Sequence, residues 1–223
     1  MAIRLFGKIS GFLKKEEEVV EKSKKVFEGN FFTIARQGNL NEVKKAINDG
    51  ASVFIKNAEY CTPLMFAAEE NTDPEVIKEL LKAGAILEIE TKGGATPLMG
   101  AAQKNTNPEV LQVLIDAGAN VNKENDIGFT PLIYAATYNE NEEFVKRLVK
   151  AGANINFANK FGRSAFIYAA LNNKNLEILK TLLTLGADPN QRDMNDLNIL
   201  GILGNEKKDS EVYRFLQTLN LDE

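Results

Sequence analysis

Cys61 is the only cysteine in the chain, and its 223 residues include no histidine. The missing imidazole removes Ser-His-Asp and Cys-His catalysis, histidine metal sites and a histidine pH switch. A single sulfur can form neither an internal disulfide nor a thiolate zinc site. Cys61 stands next to Thr62 in a loop-like stretch. No sequence neighbourhood there points to a lowered thiol pKa, so an incidental loop cysteine is expected. Acid–base chemistry would fall to carboxylates, of which there are 31. Most of them recur at regular positions that suit helix caps and solvated faces, not a catalytic pair. No Walker loop, dinucleotide fingerprint or calcium loop is present. Gly93-Gly94 looks like part of a phosphate loop, but its place in the repeat makes it a turn. No catalytic centre, metal or cofactor is expected.

Composition agrees. Hydrophobic residues make up 44% and charged residues 26%, as in soluble globular chains. The net charge of −4 argues against nucleic acid as a partner, because that needs a basic footprint. No run approaches the ~20 apolar residues that span a bilayer. The opening Met1-Ala2-Ile3-Arg4-Leu5-Phe6-Gly7-Lys8 is broken by charge before a secretory core can form. A chain without disulfides suits a reducing cytosol, and a cytoplasmic location is expected.

The elements that position any site come from a repeat. Thr62-Pro63-Leu64-Met65-Phe66-Ala67-Ala68 returns as Thr96-Pro97-Leu98-Met99-Gly100-Ala101-Ala102 and as Thr130-Pro131-Leu132-Ile133-Tyr134-Ala135-Ala136. Weaker copies begin at Ser164 and Asn198, so every step is 34 residues. Gly50-Ala51, Gly84-Ala85, Gly118-Ala119, Gly152-Ala153 and Gly186-Ala187 keep the same step. Thr-Pro starts a helix, because Thr caps free N–H groups and Pro tolerates the first helical position. Alanines follow at helical spacing and let a neighbouring helix come close. A second helix is expected after the phased caps Asp73, Asn107, Asn141, Asn175 and Asp209. Glu75, Glu109, Glu143, Glu177 and Glu211 would sit in its first turn, where the helix dipole favours acid. The glycines end it in a left-handed cap. The Asn- and Gly-rich remainder reads as a hairpin-like loop.

Gly-x-Thr-Pro-Leu-x-x-Ala-Ala, then Glu-Val, Leu-Leu and Gly-Ala-x-x-Asn, resembles the ankyrin repeat over roughly residues 29 to 223. The resemblance implies an all-α solenoid of stacked antiparallel helix pairs with protruding hairpin loops. About six units are expected, the first and last degenerate as terminal caps. It also implies a non-enzymatic scaffold that binds a protein partner through hairpin tips and the concave helix face. The chain departs from the family pattern in two ways. The usual histidine after Thr-Pro-Leu is Met65, Met99, Ile133 or Ile167, so apolar packing must replace its hydrogen bonds. The extra residue of the 34-residue period falls between the helices, at Asn71-Thr72-Asp73 and Asn105-Thr106-Asn107, where a polar turn can absorb it.

Residues 1–28 do not match the repeat. Residues 1–15 carry Arg4, Lys8, Lys14 and Lys15 and no acid, with Ile3, Phe6, Ile9 and Leu13 near one helical face. The expected role is a helical extension that caps the first unit. The alternative is a membrane-tethered adaptor anchored by this basic amphipathic helix.

Within the repeats, the informative residues are those that the repeat does not dictate. Family phase points to Glu59, Glu69 and Glu70 in the second unit and to Lys92 and Lys104 in the third. In the fourth and fifth it points to Ile127, Phe129, Tyr138, Phe161, Arg163 and Leu171, apolar or aromatic side chains and an arginine expected to face solvent. Such residues anchor interfaces, so these six are the candidate partner-binding set of a chain expected to be monomeric. Tyr134 and Tyr168, also 34 apart, are expected to pack in the core or groove.

Overall fold

The computed structural model describes residues 29–204, 210–219 and 221. Twelve helices lie within them. They are α1 Phe31–Gln37, α2 Leu40–Asn48, α3 Pro63–Glu70, α4 Pro74–Lys82, α5 Pro97–Lys104, α6 Pro108–Asp116, α7 Pro131–Tyr138, α8 Glu142–Lys150, α9 Ala165–Asn172, α10 Leu176–Thr184, α11 Ile199–Leu203 and α12 Glu211–Gln217. Odd and even members pair, and each odd helix packs on the next odd helix along the stack. The expected cap or membrane anchor in residues 1–28 lies outside the described residues.

Each helix starts where its capping residue stands. The hydroxyls of Thr62, Thr96 and Thr130 accept from the N–H of Met65, Met99 and Ile133. Asp73, Asn107, Asn141 and Asn175 cap the second helices as expected. The last pair differs. Asp209 lies outside the described residues, and Ser210 caps α12 by accepting from the Tyr213 N–H. Ser164 also departs from the pattern, because its buried hydroxyl makes no cap bond. Each second helix from α2 to α10 ends in one motif. At α4, the Gly84 N–H donates to Leu81 and the Ala85 N–H donates to Leu80. This double closure requires the left-handed φ of +94° that Gly84 adopts.

The stack buries the alanines. Ala67, Ala68, Ala101, Ala102, Ala135 and Ala136 are fully enclosed between successive first helices. Met65, Met99, Ile133 and Ile167 are buried too, so apolar packing does stand where the family carries histidine.

The inter-helix turn does more than absorb a residue. Asn71, Asn105, Asn139 and Asn173 are buried and form a ladder along the stack. The Asn105 Nδ2 donates to the carbonyls of Ala68 and Asn71 at 2.8 and 2.9 Å. The Asn139 Nδ2 does the same to Ala102 and Asn105, and the Asn173 Nδ2 to Ala136 and Asn139. Each Oδ1 accepts from the N–H two residues on, at Asp73, Asn107, Asn141 and Asn175. One side chain thus satisfies carbonyls at the end of the preceding unit's helix and turn, which packing would otherwise leave without water.

The loops are hairpin-like without strand pairing. The Asn125 N–H donates to the Phe129 carbonyl, and the Gly128 N–H donates back to Asn125. The same pair recurs at Asn57, Thr91, Asn159 and Asp193. The residue before the last in each loop has positive φ. Glycine supplies it at Gly94, Gly128 and Gly162, but Tyr60 and Asp196 hold it at +64° and +61°. A left-handed residue with a Cβ costs ~1–2 kcal/mol, and introducing glycine loosens the unfolded chain by ~0.5–1 kcal/mol. Tyr60→Gly is therefore expected to raise stability by about 0.5–1 kcal/mol in urea denaturation. A lower midpoint would show that the ring contacts of Lys56 and Lys92 with Tyr60 outweigh the strain.

Candidate partner-binding surface

The hairpins of the fourth to sixth units abut. A Cβ on Gly128 would lie 3.1 Å from the Asn159 Cβ, and one on Gly162 would lie 2.7 Å from the Met194 backbone nitrogen. The Met194 N–H donates to the Phe161 carbonyl at 2.9 Å, and the Lys160 ammonium donates to the Asp126 carbonyl at 2.6 Å. Their tips carry Ile127, Phe161 and Met194, exposed by 49%, 45% and 67%. Ile127 and Phe161 are where sequence phase put them. Met194 and the exposed Leu197 extend the ridge into the sixth unit and were not among the expected residues. Their signal was visible as apolar residues in a loop otherwise rich in Asn and Asp. The tips of the second and third units mix charge with one exposed ring, Tyr60, with Lys92 near both that ring and Glu59, at 3.9 Å from the latter.

Phe129 corrects the expectation. It is only 7% exposed and packs under the hairpins, not into solvent. Its ring lies 5.4 Å from Tyr134 and 4.6 Å from Tyr168, and so ties the fourth unit to the fifth. The Asn125 side chain binds this hub from both ends. Its Oδ1 accepts from the Phe129 N–H, and its Nδ2 donates to the Tyr134 hydroxyl at 2.9 Å. Asn159 repeats the arrangement with the Tyr168 hydroxyl at 3.0 Å. Burial and the neighbouring Tyr138 hold the Tyr134 hydroxyl above its ordinary pKa, against the pull of Asn125. Both tyrosines pack as expected. At the far end of α7, Tyr138 is 54% exposed, with Tyr134 at 6.2 Å behind it.

Arg163 and Leu171 are half-buried rather than free. Leu171 packs against the core. Arg163 donates to Asp193 at 3.2 Å, whose side chain is 1% exposed. Burial pushes the Asp193 carboxyl up, but the Asn195 N–H, the Arg163 guanidinium and the Leu197 N–H together hold it below its ordinary value. A depressed folded pKa contributes stability above the unfolded value of ~3.9 and loses it as pH falls through the folded value. The contact between the fifth and sixth units should accordingly loosen in acid. Asp193→Asn is expected to flatten the acid limb of a stability–pH curve, and an unchanged limb would show that Asp193 does not govern it.

Cys61 is half-buried, and burial, Glu69 and Glu59 raise its thiol pKa against a hydrogen bond from Asn57. It is therefore kept protonated, in agreement with an unreactive loop residue. Among the described residues, no group of three or more Cys, Asp and Glu could hold a metal ion, and no helix is long and apolar enough to cross a membrane.

The family model for ankyrin repeats matches residues 31–125 and 98–193. The chain belongs to the ankyrin-repeat family. Comparison with curated proteins returns no match. Ankyrin repeats are general protein–protein interaction modules.

Proposed function

We propose that this ankyrin-repeat chain is a non-catalytic cytoplasmic scaffold that holds a protein partner against its fourth to sixth units. Ile127 and Phe161 act as apolar anchors on the hairpin tips, and Tyr138 contacts the partner from the end of α7. Phe129, Arg163 and Leu171 lie beneath this surface and fix its shape. The observation that carries the reading is the ridge of Ile127, Phe161 and Met194, exposed on hairpins that are tied to one another. Apolar side chains clustered in solvent mark interaction sites. Hairpins already locked by Asn125, Asn159 and Asp193 lose little freedom on binding, which favours affinity.

The test is affinity capture from native lysate by the full chain and by Ile127→Ala/Phe161→Ala. Loss of the captured polypeptides with an unchanged melting curve is expected, at about 2 kcal/mol or more for each true anchor. An identical capture profile would overturn the assignment of the tips.

A further inference from the structure

The far end of the first helices carries a second surface with different chemistry. An open groove of about 1030 Å³ lies there, lined largely by the third and fourth units. Its walls hold Glu70, Glu140, Glu142 and Glu143 against one cation, Lys104. Lys104 is already tied to Glu69 of the preceding unit. Arg36 approaches Glu70 at 3.6 Å, and Lys146 is shared between Glu142 and Glu143 at 2.6 and 3.0 Å. Glu140 pairs with no cation among the described residues. The groove thus retains negative charge.

Tyr138 lines the same groove with its ring half exposed. A ring face beside a carboxylate is what a planar cation stacks on and pairs with at once. Building on the protein-interaction reading above, we infer that this groove takes an arginine side chain of the partner polypeptide, its guanidinium on the Tyr138 ring and paired with Glu140. A lysine is held less well, because its compact ammonium cannot both stack and bridge. The hairpin ridge and the groove then read different parts of one partner: apolar residues at the tips and a cation at the helix ends.

The experiment titrates the ¹⁵N-labelled full chain with Nα-acetyl-arginine methylamide, and separately with its lysine and norleucine counterparts, following amide shifts. The arginine probe is expected to move Lys104, Tyr138, Asn139 and Glu140, with lysine weaker and norleucine silent. Tyr138→Ala should weaken the arginine response by about fivefold and Tyr138→Phe should retain it. Glu140→Gln should weaken it with the ring intact, and each spectrum reports whether the variant is folded. No shifts, equal shifts with norleucine or lysine, or an unaltered response in Tyr138→Ala and Glu140→Gln would overturn the proposal. Phe161→Ala should leave the titration unchanged, so a failure here leaves the tip reading standing.

Discussion

Phe129→Ala should lower the melting temperature sharply, whereas Phe161→Ala should barely move it, although both phenylalanines sit in equivalent loops two positions apart in phase. The difference follows from burial. The Phe129 ring fills the space between Tyr134 and Tyr168, and its removal leaves a cavity where two units meet. Phe-to-Ala truncations at such sites cost ~3–5 kcal/mol. The loss should spread, because the Tyr168 ring then faces a void and the Asn125 clamp closes on an empty pocket. Phe161 is 45% exposed, so its truncation should stay within about 0.5 kcal/mol. Thermal melting of the two variants side by side decides the matter. Equal losses would mean that Phe161 also packs the stack, and would remove it from the binding surface.

Asn139→Ala should destabilise the stack strongly. The side chain is buried and makes three bonds, two donated to the carbonyls of Ala102 and Asn105 and one accepted from the Asn141 N–H. Alanine would orphan all three partners in a closed turn. Each unsatisfied buried group costs ~1–3 kcal/mol, so a loss of about 3 kcal/mol or more is expected. Asp at the same site should fare no better, because a carboxylate cannot donate to the two carbonyls. Urea denaturation of Asn139→Ala beside Glu140→Ala, an exposed neighbour, gives the comparison. Near-equal midpoints would show that water replaces the ladder at little cost.

The fold was legible in the sequence because its signals are local. Thr-Pro at 62, 96 and 130 caps and starts helices whatever lies beside them, and Gly84 and its phased equivalents close helices through their own φ. Alanine pairs mark the close contacts, and the 34-residue step sets the stacking direction. Local capping was also where reading by phase alone stopped, since Ser164 keeps the position without the bond and Ser210 caps α12. Exposure was legible only in part. Ile127 and Phe129 stand two residues apart in one loop, yet one projects into solvent and the other lies under the next hairpin. That outcome depends on how near the following loop comes, which Gly162 permits by leaving room for backbone where a Cβ would clash and Gly128 by avoiding a tight 3.1 Å contact with the Asn159 Cβ. The Asn ladder was likewise visible only as a polar turn, because its acceptors are carbonyls of the preceding unit, 34 to 37 residues away for the ladder of Asn105, Asn139 and Asn173. Helix starts, stops and stacking period are written in neighbouring residues, so the sequence alone determined the solenoid. The tertiary structure decided which side chains the stack encloses, ties or leaves for a partner, because each such choice is made between units that meet only after folding.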